Sequence, residues 1–182
     1  STIYFSATND PTSFSGTGSG SIALEDKIVG IKSFRNDLII FCQNSLFKLI
    51  NINDSSNIAI VPITQNVGCM DGASIQEIGG DLLFLSPDGL RTVAGTARIG
   101  DVELSSVSRP IQSIIQSIAD NINNFTVSSA VLRSKSQYRL FYNVPTGASE
   151  TADAAAKGII ATLTNQGFQY AETAGIKATA IS

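Results

Sequence analysis

The chain has 182 residues, of which 43% are hydrophobic and only 15% are charged, and its formal net charge is −3. This length suits one domain or a run of small repeats, and the apolar content argues against disorder. Because the chain contains no histidine, Ser-His-Asp and Cys-His catalytic arrangements and His-dependent zinc sites are excluded. A slightly acidic chain also lacks the positive field that attracts a polyanion, so we expect no specific nucleic-acid binding.

The cysteines and the apolar runs give little sign of a redox or membrane role. Cys42 ends an apolar run that begins at Leu38, so we expect a buried, inert thiol there, and neither Cys42 nor Cys69 lies in a CxxC motif. The longest apolar stretches have five or six residues, whereas a membrane span needs about 18, so we expect no membrane insertion. Since the chain begins at Ser1 and its last residues alternate like a strand, we expect both ends to be cuts in a longer polypeptide.

One segment of the chain repeats a second one. Ile28–Leu49 can be laid over Gly72–Val93 without a gap, at the offset of 44 residues that separates Asp37 from Asp81. In each copy an alternating run leads to a polar turn, a near-continuous apolar run, a second turn and another alternating run. This pattern predicts three antiparallel strands joined by tight turns.

The continuous apolar runs are the central feature of each copy. Leu38–Phe41 and Leu82–Leu85 suit strands that are covered on both faces, because a half-buried strand would alternate. A fourth strand is predicted in the first copy at Asn57–Thr64. Four antiparallel strands recurring about every 40 to 45 residues are typical of a β-propeller blade.

A third copy is predicted from Phe125 onward, after an insertion. Its strands are expected at Ser136–Tyr142, Lys157–Thr164 and Phe168–Glu172, with a longer loop at Gly147–Lys157 between the first two. The distance from the second copy to the third exceeds the repeat period, which indicates that extra residues lie between these blades.

The inserted residues predict an amphipathic helix at about 109–122. Ser108-Arg109-Pro110 is a helix-start signal, and isoleucines follow at helical spacing. Such an apolar stripe must be covered, either by the blades of its own chain or by a neighbouring chain, and it is the candidate interface. Its members are Ile111, Ile114, Ile115, Ile118 and Ile122.

The sequence therefore predicts an all-β fold, a β-propeller-like array of four-stranded antiparallel blades with one inserted helix. We expect a single propeller-like domain or fragment. Its predicted segments are a partial blade at 1–24, blades at 28–64 and 72–104, the helical insertion at 105–124, a blade at 125–172 and a partial strand at 175–182.

No pattern in the sequence predicts a catalytic, cofactor-binding or metal site. Gly16–Gly20 resembles a phosphate-binding loop but lacks the following Lys-Ser/Thr, so we interpret it as a hairpin loop. Asp71 and Asp88 each precede glycine and are interpreted as turn residues. Asp37 and Asp81 are placed in strand-joining turns, so we expect no enzymatic activity. A calcium site built from backbone carbonyls stays open. The aromatic residues predicted to pack in the core, rather than to form a sugar platform, are Tyr138, Phe141, Tyr142, Phe168 and Tyr170.

Several strings resemble the propeller part of bacteriophage tail proteins, and most nearly the tail tubular protein B or nozzle family of short-tailed phages. They are Ile3–Phe14, Asp37–Phe41, Ser45–Leu49, Gly68-Cys69, Leu82–Leu85, Asp88–Leu90, Ser108–Ile111 and Tyr138–Tyr142. The resemblance implies a non-enzymatic structural protein of the virion, a viral tail component that forms a ring-shaped homo-oligomer and contacts other tail proteins. It brings no catalytic residues and no cofactor.

Two departures and two alternatives accompany this resemblance. The chain is much shorter than a full nozzle protein, and its isoleucine helix is longer than the connection expected after Ser108–Ile111. The first alternative is a carbohydrate-binding or glycoside-hydrolase propeller, which needs only a pair of carboxylates. The second is a WD40-type interaction scaffold, which is weakened because the chain has neither Trp nor His.

Overall fold

The computed structural model describes residues 1–94, 107–143, 156–176 and 178. These residues are mostly β structure, arranged as four antiparallel sheets with one short α-helix. The chain divides into two compact units, Ser1–Cys69 and Met70–Ser182. The prediction of an all-β fold is confirmed.

The first unit contains two sheets. Its strands are β1 (Thr2–Phe5), β2 (Gly20–Ala23), β3 (Ile28–Phe34), β4 (Asp37–Cys42), β5 (Leu46–Ile50) and β6 (Ala59–Thr64). β1 pairs with β2, and β3 to β6 form a four-stranded sheet in sequence order. The fourth strand predicted for this copy is therefore present. One face of the large sheet packs against the β1–β2 hairpin, and Leu24, Ile40 and Leu49 are buried between them with Ile3 and Ile22 at the margin.

The second unit contains a three-stranded sheet, a four-stranded sheet and the helix. Its strands are β7 (Gln76–Ile78), β8 (Asp81–Ser86), β9 (Gly89–Thr92), β10 (Thr126–Leu132), β11 (Gln137–Asn143), β12 (Ala156–Thr164) and β13 (Gly167–Ala174), and its helix is α1 (Gln112–Asp120). Both sheets follow sequence order. Short 3₁₀ turns precede and follow α1, at Arg109–Ile111 and Ile122–Asn124.

The predicted repeat is present in the strand register. β4 and β8 begin at Asp37 and Asp81, 44 residues apart, and have the same length. Phe34 faces Asp37 across the first turn, and Ile78 faces Asp81 at the matching turn of the second copy. The pairing across the second turn matches in the same way. β4 and β8 are also buried on both faces over most of their length, as their continuous apolar sequences predict.

The first strand of the second copy is shorter than the sequence alignment predicts. Gly72–Ser74 form a 3₁₀ turn, so β7 starts only at Gln76. The side chain of Asp71 caps this turn by accepting a hydrogen bond from the Ala73 N–H at 2.8 Å. Ser74 Oγ then donates to Asp71 O at 2.6 Å and accepts from the Leu85 N–H at 3.1 Å. These hydrogen bonds take the place of the strand-to-strand hydrogen bonds that a longer β7 would form.

The core of the second unit lies between its two sheets. Leu83 and Leu85 of β8 pack with Tyr138 and Leu140 of β11 in one buried cluster. The Tyr138 hydroxyl donates to Ser74 O at 2.9 Å, which satisfies a polar group in this core. Tyr142 also lies in the cluster, Phe168 and Tyr170 pack against it, and Phe141 is buried, so the predicted packing role of the five aromatic residues is confirmed.

Some predicted elements fall outside the described residues. They are the part of the second blade from 95 to 104, residues 105–106 of the insertion, residues 147–155 of the long loop and most of the strand predicted at 175–182.

Candidate functional site

The helical insertion is the first candidate site because its isoleucine stripe is the predicted interface. The chain that leads into it lies on the outer edge of β9. The Leu90 N–H donates to Ser108 Oγ at 2.9 Å, and the Val107 N–H donates to Leu90 O at 3.0 Å. Gln112 Nε2 donates to Asp88 O at 2.7 Å. The insertion therefore takes the place that a fourth strand would occupy beside β9 at Leu90.

The predicted helix at 109–122 is confirmed as α1 and its two flanking 3₁₀ turns. Ile115 and Ile118 are fully buried in the core of the second unit. Ile111, Ile114 and Ile122 are only partly buried against the same core. The centre of the stripe is thus covered by its own unit, and the role of the remaining surface as an interface stays a prediction.

The acids at matching repeat positions have structural partners within their own sheets. Asp37 is the first residue of β4 and forms an ion pair with Lys48 at 3.0 Å. Asp81 is the first residue of β8 and accepts hydrogen bonds from the Ala94 N–H at 3.1 Å and from its neighbour Leu82 N–H at 2.8 Å. Each acid lies just after the turn in which it was predicted. Their carboxylates hold strand ends together.

Asp88 lies in the predicted turn and pairs with a buried arginine. Arg91 is only 3% exposed. Its Nε donates to Asp88 Oδ1 at 2.8 Å, and a second guanidinium N–H donates to the other carboxylate oxygen. Burial opposes ionisation of Asp88, but the hydrogen bonds and positive charge of Arg91 outweigh it and keep the pKa of Asp88 below its usual value. No pattern in the sequence predicts that Arg91 is buried.

Gly16–Ser19 belong to the connection between β1 and β2, and Gly20 begins β2, which confirms the interpretation of this segment as a hairpin loop. The Thr8 N–H donates to Thr17 O at 3.1 Å, and Ser19 Oγ donates to Gly16 O at 2.7 Å. Gly18 has a positive φ, and a Cβ there would clash with Thr8 Oγ1. Glycine is required by the close packing of this loop.

A polar cleft of about 580 Å³ in the first unit is a site that sequence reasoning missed. Its lining includes Glu25, Asp26, Asn44, Phe47 and Gln65. These residues are scattered in the sequence and meet only because the β2–β3 connection lies beside the β4–β5 turn. Carboxylate and amide groups beside one aromatic ring suit a polyhydroxylated ligand such as a sugar.

The carboxylate of Asp26 fixes one wall of this cleft. It accepts hydrogen bonds from the Asn44 N–H at 2.8 Å, the Ser45 hydroxyl at 2.7 Å and the Lys27 N–H at 2.7 Å. Burial raises the pKa of Asp26, but these bonds outweigh it and lower the pKa overall. Asp26 is therefore a structural anion, and Glu25, which is exposed, is the acid that a ligand could reach.

Neither cysteine forms a disulfide, and both are fully buried. Burial raises the pKa of the Cys42 thiol, which disfavours the reactive thiolate. Across the described ranges, no three acidic or cysteine residues lie close enough together to hold a metal ion. Over the same ranges, no helix combines the length and the apolar character that a membrane crossing requires.

No family model matches the chain, and no curated protein matches it.

Ile118→Ala should destabilise the second unit by about 2–5 kcal/mol, because it opens a cavity in a closed core. Chemical unfolding followed by circular dichroism measures this loss. Ser117→Ala is the matched control, since Ser117 is exposed on the same helix and its substitution should change the free energy of unfolding by less than about 0.5 kcal/mol. Equal effects of the two substitutions would contradict the burial of Ile118.

Asp88→Asn should lower the free energy of unfolding at neutral pH, and the loss should become smaller in acid. The lowered pKa of Asp88 means that its ion pair stabilises the fold above the ordinary aspartate value of 3.8 and is lost as the pH falls through the lowered folded value. Unfolding free energies of both proteins, measured from neutral pH into acid, should therefore converge. A difference that stays constant over this range would show that Arg91 does not hold the carboxylate.

Proposed function

We propose that this chain is a non-enzymatic structural component of a phage virion, located in the tail tube or nozzle and acting through subunit–subunit assembly. The observation that carries the proposal is the repeated meander, whose matching polar residues form bonds within their own sheets. Asp37 pairs with Lys48, and Asp81 binds the Ala94 N–H. Since these carboxylates bind groups of their own sheets, we interpret both acids as structural residues.

A propeller-like arrangement is the architecture we propose for the assembled protein. Each meander follows sequence order, and in the second unit one sheet packs face to face on the next, as neighbouring blades do. A ring of such blades would enclose an axial channel, which is the shape that a tail conduit requires. Blades from several subunits, or from a longer polypeptide, would complete the ring.

The resemblance to the nozzle family supports the virion location. Its strings coincide with elements of the fold: Asp37–Phe41 lies in β4, Leu82–Leu85 in β8 and Tyr138–Tyr142 in β11. They are therefore strand motifs of a scaffold. The partners that this implies are further copies of the chain and other tail proteins.

Assembly tests the proposal through the exposed part of the isoleucine stripe. Ile114→Asp should abolish ring-shaped oligomers while the fold is kept, because Ile114 is only partly buried and a carboxylate would charge the interface. Light scattering and negative-stain electron microscopy give the oligomer size and shape. Ser113→Asp, an exposed neighbour on the same helix, should leave assembly unchanged. A wild type without rings at any concentration would contradict the proposal.

Carbohydrate binding is the second candidate because of the polar cleft beside Glu25. Binding of a glycan panel that is lost in Gln65→Ala would favour this function, since Gln65 is exposed and lines the cleft. Hydrolysis of any glycan that a single change such as Glu25→Gln abolishes would overturn the non-enzymatic assignment. We expect neither binding nor turnover.

A further inference from the structure

β13 is the outer strand of the sheet that contains β10 to β13, and one of its edges faces away from the sheet. It pairs with β12 along its whole length without a bulge. The Gly175 N–H donates to Ala156 O at 2.9 Å, and this bond fixes which residues point inward, because the direction alternates along an antiparallel strand. The N–H and C=O groups that point outward belong to Phe168, Tyr170, Glu172 and Ala174. Within the described ranges, no hydrogen bond reaches these backbone groups.

Two other outer edges of the protein are protected. β6 contains Pro62, which has no N–H to offer a further strand, and its pairing with β5 is irregular. In β9, the outward C=O of Leu90 accepts a hydrogen bond from the Val107 N–H, and its outward N–H donates to Ser108 Oγ. β13 has no proline, no lysine and no bulge, and its single charged residue is Glu172. An edge of this kind is a template for another strand.

The side chains of β13 hold this edge in place. Phe168 and Tyr170 pack against the core of the second unit. The Tyr170 hydroxyl donates to Val107 O at 2.6 Å, and burial raises the pKa of Tyr170. The edge is thus ordered before any partner arrives, which reduces the entropy lost on pairing.

We propose that β13 pairs with β13 of a second copy of this chain, antiparallel about a two-fold axis at Ala171. In this register Phe168 lies opposite Ala174 and Tyr170 opposite Glu172, so all the outward groups are used in roughly eight hydrogen bonds. A register centred on Glu172 would place like charges opposite each other, and one centred on Tyr170 would leave Ala174 unpaired. The sequence is therefore self-complementary in one register, and the two four-stranded sheets become one.

The opposite face of the paired strands agrees with this register. Gln169 would lie opposite Thr173, and the two Ala171 residues would meet at the axis without crowding. A two-fold contact of this type closes on itself, so it satisfies the edge without producing a filament. The inference does not depend on the virion role, since it concerns an edge and not the isoleucine stripe.

Cysteine cross-linking tests the register. Ala171→Cys should form a disulfide-linked dimer when glutathione disulfide is added, and this oxidant accepts the two electrons and two protons of the thiols. The two Ala171 residues would form a non-hydrogen-bonded pair, in which the Cα atoms are about 4.5 Å apart, close enough for a disulfide. Gln169→Cys is the matched control, because Gln169 is also exposed but would face Thr173, and it should cross-link far more slowly. The background is low because Cys42 and Cys69 are buried. Equal cross-linking of the two variants would overturn the register.

Charge substitution tests the contact itself. In the Ile114→Asp background, in which no ring assembles, the protein should sediment as a concentration-dependent dimer. Adding Ala171→Lys or Ala171→Glu alone to this background should give a monomer, because like charges would meet at the axis. An equimolar mixture of the two variants should restore the dimer. Val61→Lys, on the exposed side of β6, should have no effect. A monomeric Ile114→Asp protein, or a mixture that stays monomeric, would overturn the proposal.

Discussion

The structure depends on central strands that are apolar on both sides. β8 is buried along nearly its full length, and β4 is buried from Ile39 to Cys42. A sheet built on such a strand cannot leave either face in water, because each exposed Leu, Ile or Phe side chain would forgo about 1.5–3 kcal/mol of burial. The meander must therefore be stacked, and in the second unit the stack is seen directly between the β7–β9 and β10–β13 sheets.

Stacking creates a second requirement, since polar groups enclosed between sheets need partners. In the second unit, bonds between the sheets provide partners for Gln76 and Tyr138. Gln76 Nε2 donates to Ser129 O at 3.0 Å, and the Tyr138 hydroxyl donates to Ser74 O. These bonds fix how one sheet lies on the next, whereas apolar contacts alone would allow several positions. The 3₁₀ turn before β7 supplies the carbonyl that Tyr138 needs, which explains why this copy departs from the longer first strand of the other.

Local patterns in the sequence predicted strands and the helix. They did not predict the features that depend on contacts between residues far apart in the sequence. The alternation and the turn residues predict β3 to β5 and β7 to β9, although β7 is shorter than predicted, and the isoleucine spacing predicts α1. The polar cleft was not predictable because Glu25, Asn44 and Gln65 approach one another only in the folded sheet. The buried Arg91 was equally hidden, since its partner Asp88 is needed to offset the cost of burying the charge. Charged residues with such specific partners carry no periodic signal.

The way in which outer sheet edges are covered or left open connects the fold to the proposed strand pairing. The outer edge of β9 would be exposed at Leu90, but Val107 and Ser108 of the insertion form hydrogen bonds with its backbone groups. The same insertion buries Ile115 and Ile118 in the core. One segment thus protects an edge and completes a core. β13 receives no such protection in the described chain, although its aromatic residues anchor it firmly. A rigid edge left open, in a chain that bonds the edge of β9 and places Pro62 in the edge strand β6, is what the proposed pairing of two β13 strands requires.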